Sequence, residues 1–247
     1  MLELAAAFLG SLFAGYLGAA VGLVLGTLRL PLILLLSGNA STAAGTNIAI
    51  SAAAAASGGW EHARAGRVDW RVVAWMTPPS IAGAILGGLA GHFVPEALLL
   101  GGVAAVLAWN GIDLLFRPIK PTPAVEPHFG PAVVFGFLIG VIGGALGVIL
   151  GTLRVPALLR AVGLTPHRAV GTNLVVGFAL GAFGFVAHAS LGEVDWPILG
   201  AGLAGGVPGA FLGARVTGRL SEEAVKRALG IALLVIAASF VVEIAIR

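Results

Sequence analysis

The sequence predicts an all-α integral membrane protein made of two homologous repeats, and three observations carry that reading. Hydrophobic residues make up 58% of the 247-residue chain and charged residues only 10%, with a mean hydropathy of +1.03. Too little polar side chain remains to coat a soluble fold. Apolar runs of about twenty residues recur along the chain, long enough for a helix to cross about 30 Å at 1.5 Å per residue. The chain also matches itself at an offset of about 125 residues, the mark of an internal duplication.

The duplication is detailed. Gly22, Gly26, Thr27, Arg29, Pro31 and Gly38 meet Gly147, Gly151, Thr152, Arg154, Pro156 and Gly163. After a one-residue shift, Ala43, Gly45, Thr46 and Asn47 meet Ala169, Gly171, Thr172 and Asn173. Further on, His62, Gly66, Val68, Asp69 and Trp70 meet His188, Gly192, Val194, Asp195 and Trp196, and Gly83 and Gly87 meet Gly209 and Gly213. The organisation is therefore a first repeat over 1–116, a linker over 117–128 and a second repeat over 129–247, forming one transport unit. Four of the 13 prolines fall in the linker, Arg117 to His128.

Each repeat reads as four apolar pieces. In the first, Leu2 to Leu25 is a span; it lacks the basic start of a secretory signal, since Glu3 is its only early charge, and is expected to be retained. Leu28 to Ser57 is interrupted by Ser37-Gly38-Asn39 and reads as a short helix and a longer one folded as a hairpin. Val72 to Gly91 and Glu96 to Phe116 are ordinary spans. The second repeat gives Pro131 to Leu150, a broken piece over Leu153 to Ala187, Pro197 to Val216 and Ala224 to Ile246. The 38 glycines suit spans whose backbones approach closely.

The net charge of +3 and pI near 10.2 come from basic residues in short loops, a topology signal and not a nucleic-acid footprint. Arg64, Arg67 and Arg71 follow the first broken piece, whereas the matching loop from His188 to Trp196 has no Lys or Arg. Arg215, Arg219, Lys226 and Arg227 lie around the last loop, and its counterpart from Gly91 to Glu96 has none. Loops that match in sequence but differ in charge predict repeats inserted upside down relative to one another; a parallel duplication is the alternative if each broken piece crosses once. With the basic loops cytoplasmic, both termini lie outside and each broken piece enters and leaves on one side. Inverted repeats with broken helices hold substrate near the midplane of secondary transporters.

The candidate site is built on Gly26-Thr27-Leu28-Arg29-Leu30-Pro31 and its copy Gly151-Thr152-Leu153-Arg154-Val155-Pro156. An arginine at a span centre costs about 2.5 to 3.5 kcal/mol on insertion scales. Finding one at matched positions of both repeats, with no acidic residue nearby in sequence, points to a task, although arginines near the headgroups also snorkel. The guanidinium fork suits an oxyanion. Gly26 and Gly151, with Pro31 and Pro156 as the expected helix breaks, would expose backbone N–H groups as further anion contacts. Thr46, Asn47, Thr172 and Asn173 stand beside the breaks as further candidates, or as interhelical glue. Asp69 and Asp195 are placed to cap the following helices, and Trp70 and Trp196 to anchor them at the interface. With no cysteine and no metal-ligand or His-Asp cluster in the apolar core, neither thiol chemistry, a metal, a cofactor nor an enzyme is expected.

These motifs resemble the sulfite exporter TauE/SafE family, an organosulfur anion permease superfamily. The likeness rests on the Gly-rich run ending in hydrophobic-Pro, Gly22 to Pro31, followed by Ala-x-Gly-Thr-Asn at Ala43 to Asn47, with both signatures repeated at Gly147 to Pro156 and Ala169 to Asn173. The resemblance implies a multi-pass permease of the cytoplasmic (inner) membrane that moves sulfite, sulfonates or related anions. The position before hydrophobic-Pro is commonly small or apolar in that family; here it is Arg29 and Arg154, which points to a tighter or more highly charged anion. The expected partners are a small anion and the lipid bilayer, with the coupling ion (H+ or Na+) and the choice of monomer or homodimer open. On this reading Arg29 and Arg154 together bind one anion between the broken helices, with Thr27, Thr152, Asn47 and Asn173 completing its hydrogen bonds; a passive anion channel is the rival.

Overall fold

The computed structural model describes residues 1–23, 26–90, 96–116, 127–146 and 149–246. Every secondary-structure element among them is helical. The first half gives α1 (Leu2–Val21), α2 (Gly26–Ser37), α3 (Ala40–Arg64), α4 (Trp70–Ala90) and α5 (Glu96–Phe116). The second gives α6 (Phe129–Leu146), α7 (Gly151–Ala157, prolonged by a π-helical turn over Leu158–Val162), α8 (Pro166–Ser190), α9 (Trp196–Thr217) and α10 (Glu222–Ile246). The fold is that of an all-α membrane protein. Among the described residues α1, α8, α9 and α10 are long and apolar enough to cross a bilayer. The linker expected over 117–128 lies outside the described residues except for its last two positions.

The helix breaks lie elsewhere than the prolines. The backbone of α2 stays helical through position 31, and Pro156 sits inside α7. The chain instead stops at glycines in the left-handed region: Gly22, Gly38 and Gly163, with φ of 75°, 67° and 86°. That conformation is cheap only without a Cβ, and at Gly22 it lets the amide return to the Gly18 carbonyl and end α1. The expected pieces ending at Ser57 and Ala187 continue as helix to Arg64 and Ser190. Trp60, Glu61 and His62 are thus helical, because Gly58 and Gly59 pack against Ala19, Leu174 and Val175 and do not break the chain.

Helices of one half pack on helices of the other: α1 on α9, α4 on α6, α3 on α8 and α5 on α10. Close backbone approach makes this possible. Gly205, Gly209 and Gly213 of α9 meet the backbone at Phe8, Leu12 and Tyr16 of α1 in that order, so the two helices run parallel. Gly83 and Gly87 of α4 meet Phe137 and Val141 of α6 in the same sense. The α3–α8 pair runs the opposite way, with Gly45 against His188, Gly181 against Ala52, Gly58 against Leu174 and Gly171 against His62. Gly45 and Gly171 are matched positions of the duplication, so α3 and α8, which correspond in sequence, run antiparallel to one another.

One end of the bundle collects the basic residues. There Arg67 Nη1 donates to the Ala214 carbonyl, Arg215 pairs with Glu61 at 3.6 Å and Arg168 with Asp69 at 3.1 Å. His128, entering α6, donates its amide to Val162 at the same end. Burial pulls the Arg67 guanidinium below its ordinary pKa, and the Glu61 charge partly offsets this. The opposite end carries the acidic α8–α9 loop, where His188 meets Glu193 at 2.7 Å.

Replacing Gly213 with leucine is expected to force α1 off α9, because a Cβ there already meets the Tyr16 carbonyl. The monodisperse fraction on size-exclusion chromatography should collapse, whereas Gly200→Leu, which has nothing within 4 Å of its Cβ position, should leave it unchanged.

Candidate functional site

α2 folds back on α3 about the Ser37-Gly38-Asn39 turn, where Asn39 Oδ1 accepts from the Thr42 amide at 3.1 Å and starts α3. This antiparallel hairpin brings Arg29, near the start of α2, against the middle of α3. Arg29 is 4% exposed. Its Nε donates to Asn47 Oδ1 at 2.9 Å, and its Nη2 donates to the Asn47 carbonyl at 3.0 Å and to Ser51 Oγ at 2.7 Å. Asn47 is itself fixed, giving Nδ2 to the Gly26 carbonyl at 2.9 Å. All three acceptors are neutral, and no carboxylate pairs with Arg29 among the described residues. The charge is oriented but not cancelled.

A small cavity opens beside it, lined by Gly26, Arg29 and Ser51 and walled by small residues of α1 and α3, chiefly Ala14, Gly18 and Ala54. Ser51 stands near the midpoint of α3, so the cavity opens partway along that helix. Its lining gives a single cationic fork in an otherwise apolar, small-residue wall.

The second half repeats the plan with different detail. Arg154, 1% exposed, gives Nη1 to Asn173 Oδ1 at 2.9 Å. Its Nε, and the hydroxyl of Thr152, are buried without a partner among the described residues. Asn173 donates Nδ2 at 2.6 Å to the Gly22 carbonyl of the other half, whereas Asn47 uses its own half's Gly26. At the positions matching Ala14 and Ala54 the second half carries the larger Ile139 and Leu180, both packed in the main apolar core.

The two arginines belong to separate hydrogen-bond clusters, Arg29 with Asn47 and Ser51 and Arg154 with Asn173. Asn173 adjoins Leu174, which touches Gly58, and Gly58 lies about three helical turns beyond Asn47 on α3, or about 16 Å along the pair. The antiparallel pairing of α3 with α8 keeps them apart, because each arginine is tied to the asparagine near the start of its own long helix and those starts lie at opposite ends.

The family model for Sulfite exporter TauE/SafE matches residues 7–240. The chain belongs to this family. It is 27% identical over 236 residues to the probable membrane transporter protein YdhB of Bacillus subtilis (strain 168), covering 93% of this chain and 95% of that one. A probable membrane transporter protein of Xylella fastidiosa (strain 9a5c) is 29% identical over 239 residues, covering 90% of each chain. No solved structure matches.

In this TauE/SafE chain the Ala-x-Gly-Thr-Asn signature has a structural job beside its asparagine. Thr46 Oγ1 accepts from the Asp195 amide at 2.9 Å, and Thr172 Oγ1 accepts from the Asp69 amide at 2.9 Å. Gly45 lies against the Glu193 carbonyl and Gly171 against that of Arg67. The Gly-Thr of each half is thus docked on the Val-Asp-Trp loop of the other. Asp69 and Asp195 also cap α4 and α9 as expected, accepting from Val72 and Ile198 at 3.1 and 3.0 Å. Among the other candidates, Gly26 and Gly151 open α2 and α7 and are buried, while the side chains of Thr27 and Pro31 lie outside the described residues. Ser51 was not legible as a site residue; its only signal was the departure from Gly177 at the matched position.

Removing either staple with Thr46→Val or Thr172→Val is expected to cost about 1 kcal/mol, the usual worth of a neutral hydrogen bond. Thermal unfolding in detergent should show a lowered midpoint for each.

Proposed function

We propose that the protein is a secondary permease for a small oxyanion, of the sulfite or sulfonate class, held by Arg29 in the mid-bundle cavity. One observation carries the reading: a buried guanidinium without a carboxylate partner among the described residues lines an otherwise apolar cavity. Burying such a charge is costly unless something cancels it, and a small oxyanion does so through the Nη1 hydrogens that the bonds to Asn47 and Ser51 leave over. Family membership supports permease activity, and the relatives' names support membrane transport.

The repeats are read as inverted, on the strength of the opposed directions of α3 and α8. The basic end of the bundle is read as cytoplasmic by the positive-inside rule, which puts both termini outside an inner membrane. Transport then works by rocking one group of helices against the other, so that the wall beside Arg29 closes as the matched wall opens.

Arg29→Gln should weaken sulfite binding to purified protein by about 10- to 100-fold, the worth of charge-assisted hydrogen bonds, and abolish sulfite flux in proteoliposomes. Wild-type flux should saturate with concentration. Undiminished binding by Arg29→Gln would end the proposal, and non-saturating flux with single-protein currents would replace the carrier by a passive channel.

A further inference from the structure

Arg154 carries its charge into the bundle with less to hold it than Arg29 has. Only Nη1 has an acceptor, Asn173 Oδ1, and Nε has none among the described residues. The reason is written in the duplication. The residue matching Ser51, which accepts from Arg29, is Gly177, which has no side chain to accept with. Thr152, on the same short helix, leaves its hydroxyl unpartnered at 1% exposure. A buried guanidinium with one neutral partner is completed by an acceptor that brings negative charge, and the fork geometry favours an oxyanion.

We propose that Arg154 is a second anion station, taking the same class of small oxyanion as Arg29 at its unpartnered Nε. The proposal rests on the anion-permease reading above and adds a step to it. Asn173 stands between the two stations. It holds Arg154 on one side and the Gly22 carbonyl on the other, and its chain neighbour Leu174 and Gly22's neighbour Leu23 both line the Arg29 cavity. An anion that leaves Arg29 toward α8 meets Arg154 next. The hydrogen bond from Asn173 to Gly22 ties the end of α1 against the Arg154 cluster while the cavity at Arg29 is open.

The test titrates purified protein in detergent with sulfite by calorimetry and follows thermal unfolding in anion-free buffer. Wild type should take two equivalents, and Arg154→Gln and Arg29→Gln one each. Gly177→Asp places a carboxylate where the acceptor is missing; it should leave one equivalent and raise the anion-free unfolding midpoint by a few degrees, because the counter-charge is now built in. This variant keeps the proposal testable if Arg154→Gln does not fold. Two equivalents in Arg154→Gln overturn the second station, as does Gly177→Asp that lowers the midpoint and leaves the stoichiometry at two. A single wild-type equivalent lost only in Arg29→Gln overturns it too and leaves the Arg29 site standing. A wild type that binds neither sulfite, sulfate nor thiosulfate overturns both readings.

Discussion

The antiparallel pairing of α3 with α8 sets the positions of everything else. Each long helix begins with a Gly-Thr that docks on the loop leaving the other, so the backbone amides of Asp69 and Asp195 are satisfied by Thr172 and Thr46. The Gly positions let those loops approach, since a Cβ at Gly45 or Gly171 would occupy the space of a carbonyl. In an apolar surrounding an unpaired amide has no water to fall back on. The two reciprocal hydrogen bonds therefore fix the register of the central pair at both ends, and the remaining helices wrap around a frame that is already set.

From that frame follows the depth of the charged groups. An asparagine directly after the docked threonine can only lie about two turns inside the helix start, and in each half it presents its Oδ1 to the arginine of the short preceding helix. The short helix is held in place by this bond in return. Burial of the two guanidinium groups is thus a consequence of the same packing that joins the halves, and their neutral partners orient the charges without removing them.

Near-symmetry with local departures gives the bundle its one-sidedness. Ala14 and Ala54 line the cavity where the matched positions carry the larger Ile139 and Leu180, and Ser51 accepts from an arginine where Gly177 has no side chain to do so. The asparagines differ as well, Asn47 bonding within its own half and Asn173 across to the other. Matched sequences can be packed in two ways when the energies of the two packings are close, which is the condition for a wall that opens on alternate sides.

By itself the sequence determined the membrane solvent, the helical class, the duplication and the family, because hydropathy, span length and repeated motifs are local properties of the chain. It also marked Arg29, Asn47 and their copies, since polar groups in apolar runs stand out, and the caps at Asp69 and Asp195. The breaks at Gly22, Gly38 and Gly163 were less legible than the prolines beside them, because a left-handed glycine and an ordinary helical glycine look alike in sequence. Only the tertiary structure decided that Thr46 and Thr172 serve the other half's loops and that the arginines form two clusters. Both outcomes depend on the direction in which α3 meets α8, a contact between residues more than a hundred positions apart that no local pattern encodes.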